Sequence, residues 1–142
     1  MKVGWDPRIR DAYADVNLVR IPKTTTRGND TYSNDLLLDE PGVIGGGCNS
    51  GFQAINLAVQ FGVAGILLVG LDMRGTHWYG RNAWPKAYNA GDGDMARWCG
   101  HIGRAGTIMA GLGIEVLNAS PHSALQCFRK VTVDQALSEW GL

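Results

Sequence analysis

The chain has 142 residues and a mass of 15.3 kDa, which fits one domain and leaves little room for two. Apolar residues at 45% and charged residues at 18% exclude a wholly disordered chain and supply enough hydrophobic mass for a core. Lys+Arg and Asp+Glu balance at 13 each, so no basic field exists to coat nucleic acid through its phosphates.

In chain order, residues 1–10 mix charge, Gly and Pro and do not resemble a signal peptide. Residues 16–21 alternate loosely between apolar and polar and suit a strand stopped by Pro22. Residues 23–35, with four Thr, one Ser, two Asn and Gly28, are expected to form a long polar loop. A loop of that length in a compact domain is either mobile or placed at a ligand or partner. Val43-Ile44 then leads into Gly45-Gly46-Gly47-Cys48-Asn49-Ser50-Gly51, and a helix follows over 52–61. Ile55, Ala58 and Val59 mark its apolar face, Asn49 or Ser50 can cap its start, and Gly62 can end it.

Ile66-Leu67-Leu68-Val69 has the pattern of a strand buried on both faces, as in a parallel sheet. The longest apolar stretch, 64–71, is far shorter than the roughly 20 residues of a membrane-spanning helix. Residues 73–93 lack periodicity. A second helix is expected from Asp94 to about Leu112, with Met95, Trp98, Ile102, Ala105, Ile108, Met109 and Leu112 as its stripe and Gly113 as its stop. Residues 114–117 form a further strand, Pro121 opens a short helical turn, and 133–140 is a terminal helix. Strand, helix, strand, helix, strand in this order predicts an α/β fold, a small Rossmann-like parallel sheet flanked by helices. Its ligand site belongs outside the carboxyl ends of the strands. The expected organisation is one domain over 1–142, with a poorly defined strand and polar loop in 1–42.

The chemistry-bearing residues fall in loops at that edge. The amides that open the helix after Gly47, together with Asn49, Ser50 and Gly51, can receive a phosphate or carboxylate, or they form an ordinary capped turn. Asp72 follows the buried strand, where a carboxylate binds a ribose hydroxyl, holds a metal or caps a turn. His77 stands between Thr76 and Trp78 in an irregular loop and is a better candidate for proton transfer or ligand contact than the mid-helix His101. His122, after Pro121, suits either role. Trp78, Tyr79 and Trp84 can stack a base or fill the space beneath the loop, the filling role suiting Trp84 better. Three histidines without matching spacing do not make a metal site, and no cofactor is expected. Cys48, Cys99 and Cys127 are odd in number and widely spaced, and are expected as buried free thiols.

Asn49-Ser50-Gly51-Phe52 at a helix start, Ile66-Leu67-Leu68-Val69-Gly70-Leu71-Asp72-Met73, and then His77-Trp78-Tyr79-Gly80 resemble the carboxyl-terminal half of sialyltransferase-like glycosyltransferases. Motility-associated-factor-like and hydroxymethylpterin-pyrophosphokinase-like Rossmann proteins share this layout, as do phage-encoded members without an assigned function. The similarity covers the core, 43–128, with 129–142 as a carboxyl-terminal helical segment. It implies that Asn49, Ser50 and Gly51 face a nucleotide, that Asp72 lies beside it, and that His77 is the reactive imidazole. Asn118, Ser120 and Ser123 would line the loop after the last matching strand. Residues 1–42 show no equivalent of the family's opening strand and glycine-rich turn, so the fold is expected to be shortened relative to the family. A second subunit would then complete the sheet, which predicts a homo-oligomer. The expected function is nucleotide binding, as by a phage protein that sequesters a host nucleotide immune signal. The alternative is a reduced glycosyltransferase-like or nucleotide-processing enzyme with His77 as base and Asp72 orienting it or a metal. A cytoplasmic protein that engages no membrane and no general nucleic acid is the corresponding expectation.

Overall fold

The computed structural model describes residues 2–4, 16–26, 29–75, 80–84 and 88–142. They fall in two compact units, Met1–Val63 and Ala64–Leu142.

In the amino-terminal unit, β1 (Lys2–Gly4) pairs in parallel with β2 (Val16–Leu18), and Arg20 continues as a parallel bridge to Val43. The expected polar loop is instead largely a hairpin. Strand β3 (Lys23–Thr26) pairs antiparallel with β4 (Asn29–Tyr32) in the register Thr24↔Thr31. Threonine explains the difference: its branched Cβ suits extended backbone, so a run that looks loop-like by polarity is strand-like by shape. Helix α1 (Ser50–Gln60) begins at the Asn49 cap, and Gly62 at φ +72° follows its end. Phe52, Ile55 and Val59 are buried on one side of it, and Val19, Leu36, Val43 and Ile44 are further buried apolar residues among those described in the unit.

The carboxyl-terminal unit carries the parallel sheet. Strands β5 (Gly65–Leu68), β6 (Glu115–Asn118) and β7 (Arg129–Lys130) lie in that order, all parallel, with Ile66↔Val116 and Leu117↔Arg129 in register. With α2 (Asp92–Gly111) connecting β5 to β6 and α3 (Val133–Trp140) closing the chain, this is the α/β fold the alternation predicts. Strand β5 is less buried than its apolar run suggests, and Val69 is exposed beyond its end. Its place at the edge of the three-stranded order accounts for that, since only β6 pairs with it among the described residues.

Helix α2 buries His101, Ile102, Ala105 and Met109, while Ile108 and Leu112 are exposed. The buried stripe is therefore narrower than the expected one and includes a histidine. The Arg104 guanidinium donates to Nδ1 of His101 at 2.6 Å. Gly106 lets the Phe128 ring approach the helix, where an added Cβ would lie 2.8 Å from Cε1. Gly113 at φ +74° ends the helix as expected, with Ile114 N–H donating to Met109 C=O and Gly113 N–H to Ala110 C=O. Helix α3 starts in a reciprocal cap between Thr132 and Gln135 and lays Trp140 over Gly65. The Trp140 indole N–H donates to Glu115 Oε2 at 2.7 Å, which fixes α3 at the amino ends of β5 and β6. Pro121-His122 forms a turn with no helical residues. Among the described residues, no helix is long and apolar enough to cross a membrane.

Candidate functional site

In the amino-terminal unit the glycine run is shaped by its own packing. A Cβ on Gly45 would overlap the Asp35 carbonyl oxygen, and one on Gly47 would overlap the Phe52 ring; Gly47 also has φ +55°. Cys48 follows at φ +61°, a left-handed backbone rarely adopted by a residue with a side chain. Its Sγ donates to Asn34 Oδ1 at 3.4 Å. Asn49 then uses both ends of its amide internally: Oδ1 accepts from Phe52 N–H at 2.8 Å, and Nδ2 donates to Gly47 C=O at 2.9 Å. Its side chain is thus the cap of α1. Ser50 is exposed and Gly51 half-buried at the first turn.

A stripe of amides on α1 holds the preceding chain in place. Asn56 is fully buried, and its Oδ1 accepts from Leu37 N–H at 3.0 Å and Gly45 N–H at 2.8 Å while Nδ2 donates to Leu37 C=O at 2.7 Å. Gln60 accepts from Gly42 N–H at 2.9 Å and donates to Val43 C=O at 2.8 Å, and Gln53 donates to Gly46 C=O. The signal was in the sequence as Asn49, Gln53, Asn56 and Gln60, four amides spaced along one helical face. Amides on a helix resemble a solvated face, which is why the stripe escapes a reading based on apolar periodicity alone.

In the carboxyl-terminal unit, Asp72, Asn118, Ser120 and Ser123 come together at the carboxyl ends of β5 and β6. Asn118 ends β6, and its Oδ1 accepts from Ser120 N–H at 3.0 Å. Ala119 N–H donates to Leu68 C=O at 2.8 Å, so the chain after β6 stays against the end of β5. The Ser120 hydroxyl accepts from Leu71 N–H at 3.1 Å, and the Ser123 hydroxyl donates to Leu71 C=O at 2.7 Å. Ala124 N–H donates to Asp72 C=O at 2.7 Å. Lys130, at the end of β7, donates to the carbonyls of Ser123 at 2.7 Å and Pro121 at 3.3 Å.

Ser120 and Ser123 are buried, and these bonds commit their hydroxyls to backbone. They are positioning residues for the 71–72 segment. The Asp72 carboxylate, by contrast, is exposed on this pinned backbone, and the next residue, Met73, is buried with φ +52°. Asn118 is fully buried, and its Nδ2 has no acceptor among the described residues.

His77, Trp78 and Tyr79 lie outside the described residues. His122 is exposed and His101 is buried on α2. No group of three or more His, Cys, Asp or Glu suited to a metal occurs among the described residues. The thiols differ from expectation: Cys48 and Cys127 are exposed and Cys99 is half-buried, all three free. Two of them stand in loops that run over the surface, where the general tendency of cysteine to be buried gives way to the course of the backbone. Burial pushes the Cys99 thiol above its usual value. Trp84 is also exposed and does not fill the space beneath its loop.

Comparison of the chain with protein-family models, curated proteins and solved structures gives no match. The resemblance to sialyltransferase-like proteins rests on the sequence motifs alone.

Proposed function

We propose that the protein binds a nucleotide or nucleotide-derived small molecule at the carboxyl edge of its parallel sheet, and that it captures the ligand without turning it over. The observation that carries this reading is the exposed Asp72 carboxylate on a backbone pinned by Ser120 and Ser123 at the ends of β5 and β6. In open α/β sheets this edge is where ligands bind, and a carboxylate there accepts from ribose hydroxyls. A backbone already held in place loses little freedom on binding, so more of the interaction energy is kept as affinity. Asp72→Asn tests the role directly, because it removes the charge and keeps the shape. Affinity for nucleoside 5′-monophosphates should fall at least about tenfold, corresponding to about 1.4 kcal/mol. Unchanged affinity in a folded variant would reject Asp72 as the ribose contact.

Association into a homo-oligomer belongs to the same proposal. Ile108 on α2, Leu112 just past its end, and Val133 and Leu137 on α3 are exposed apolar side chains of the kind that association covers. Light scattering at micromolar concentration should give a multiple of 15.3 kDa, and a monomer mass would reject this part.

A further inference from the structure

Between β5 and α2 the chain contains a loop closed by its own asparagines. Asn82 N–H donates to Asn89 Oδ1 at 2.7 Å, and Asn89 Nδ2 returns a bond to Asn82 C=O at 3.2 Å. Asn82 Nδ2 also donates to Tyr88 C=O at 3.1 Å. The two ends of the loop are therefore tied side chain to backbone in both directions.

Two large aromatic residues of this loop face solvent. Trp84 is 79% exposed and Tyr88 is 64% exposed. Tyr88 also lies near the first turn of α2, where its hydroxyl lowers the Asp94 carboxyl and is itself raised by it. Asp94 in turn accepts from Gly91 N–H at 3.1 Å and from Arg97 at 2.6 Å. The Tyr88 side chain itself stays largely uncovered. Exposing a Trp and a Tyr together forgoes a large burial gain, which a ligand can recover.

Topology gives the two ends of the connection that contains this loop their position. Strands β5 and β6 are parallel, and α2 connects them. The connection therefore leaves the carboxyl end of β5 and enters the amino end of α2 before the helix runs back toward the start of β6. That is the edge at which Asp72, Asn118, Ser120 and Ser123 are gathered.

We propose that Trp84 and Tyr88 are the base-recognising residues of the ligand site, stacking on the heteroaromatic ring of a nucleotide. This rests on the nucleotide reading of the Asp72 edge and adds to it the part of the ligand that a ribose contact cannot distinguish. Stacking on an aromatic face tolerates any base, because every base has a π-face. The site should accordingly prefer base-bearing ligands over their base-free counterparts while discriminating weakly among bases. The Asn82–Asn89 closure lowers the ordering cost of that contact.

The test is titration of the parent, Trp84→Ala, Trp84→Phe and Tyr88→Ala with adenosine and uridine 5′-monophosphates and with ribose 5-phosphate. The parent should bind both nucleotides more tightly than ribose 5-phosphate. Trp84→Ala and Tyr88→Ala should each lose about fivefold to a hundredfold on the nucleotides and nothing on ribose 5-phosphate. Trp84→Phe should restore most of the loss. Trp84 is exposed enough that its variants should keep the parent's unfolding midpoint, which the same samples report. Nucleotide affinities unchanged in Trp84→Ala and Tyr88→Ala, with the parent still binding nucleotides, would overturn the stacking role alone. A parent that binds neither nucleotides nor ribose 5-phosphate would overturn the nucleotide reading and the stacking role with it.

Discussion

The Ser123 hydroxyl donates to the Leu71 carbonyl oxygen at 2.7 Å across a sequence separation of 52 residues. With Ser120 accepting from the Leu71 N–H at 3.1 Å, both backbone groups of Leu71 are satisfied by side chains from the loop after β6. Asp72 stands one residue further on. Its backbone is thus placed by hydrogen bonds that belong to its neighbour, which makes the serines positioning residues without requiring them to touch a ligand.

Ser123→Ala removes a fully buried hydroxyl that donates to Leu71 C=O and accepts from Leu125 N–H. Leaving buried partners unpaired should cost about 1–3 kcal/mol. Denaturant unfolding should show a lower midpoint at unchanged slope. A midpoint equal to that of the parent would mean that the Leu71–Ser123 bond holds nothing in place.

Gly47→Ala places a Cβ inside the Phe52 ring at a backbone φ of +55°. Backbone strain and overpacking together should cost roughly 2–5 kcal/mol. Gly42→Ala, where nothing lies within 4 Å of the added Cβ, isolates the strain at φ +81°. The expected order in unfolding experiments is a clearly larger loss for Gly47→Ala. Equal losses would contradict the close approach of Phe52.

The capped start of α2 should titrate. Asp94 is held below its usual 3.8, first by the Tyr88 hydroxyl and then by Gly91 N–H. The folded chain therefore binds fewer protons at Asp94 than the unfolded chain does. Its stabilisation is full above the unfolded value and is lost as pH falls through the folded one. Tyr88 is raised above 10.0, first by its bond to Asp94, so its contribution is full below that value and is lost as pH rises through the raised one. Both side chains meet water, so the effect is small and weakens with salt. Unfolding midpoints of the parent and Asp94→Asn should differ at about pH 6 and converge towards about pH 2. A gap that stays constant would contradict the linkage.

Much of the fold was legible from local signals that agree with one another. Residues 133–140 form the expected helix because Thr132 and Gln135 cap its start and Gly141 ends it at φ +69°. Gly62 and Gly113 stop their helices for the same reason, and β6 lies within one residue of its expected place. The hairpin of 23–32 was not legible, because its threonines advertise polarity more plainly than shape. Strand order put residue 72 at the carboxyl edge, and the resemblance added Asn118, Ser120 and Ser123 after the next strand. The division of labour within this group was not legible, since sequence cannot say which hydroxyls are spent on backbone. Asn56 and Trp84 depart from their residue types in opposite directions: a polar residue is fully buried, where it bonds the backbone of Leu37 and Gly45, and an aromatic one is exposed.

Recovery of bound ligand decides whether the protein captures a nucleotide. The protein is incubated with a panel of nucleotides, freed of unbound ligand, denatured, and the released molecule is compared with its input. Capture predicts a retained nucleotide that is chemically intact, released in the same form from the parent and from His77→Gln. No retained nucleotide would contradict binding, and an altered one whose formation stops in His77→Gln would replace capture by catalysis.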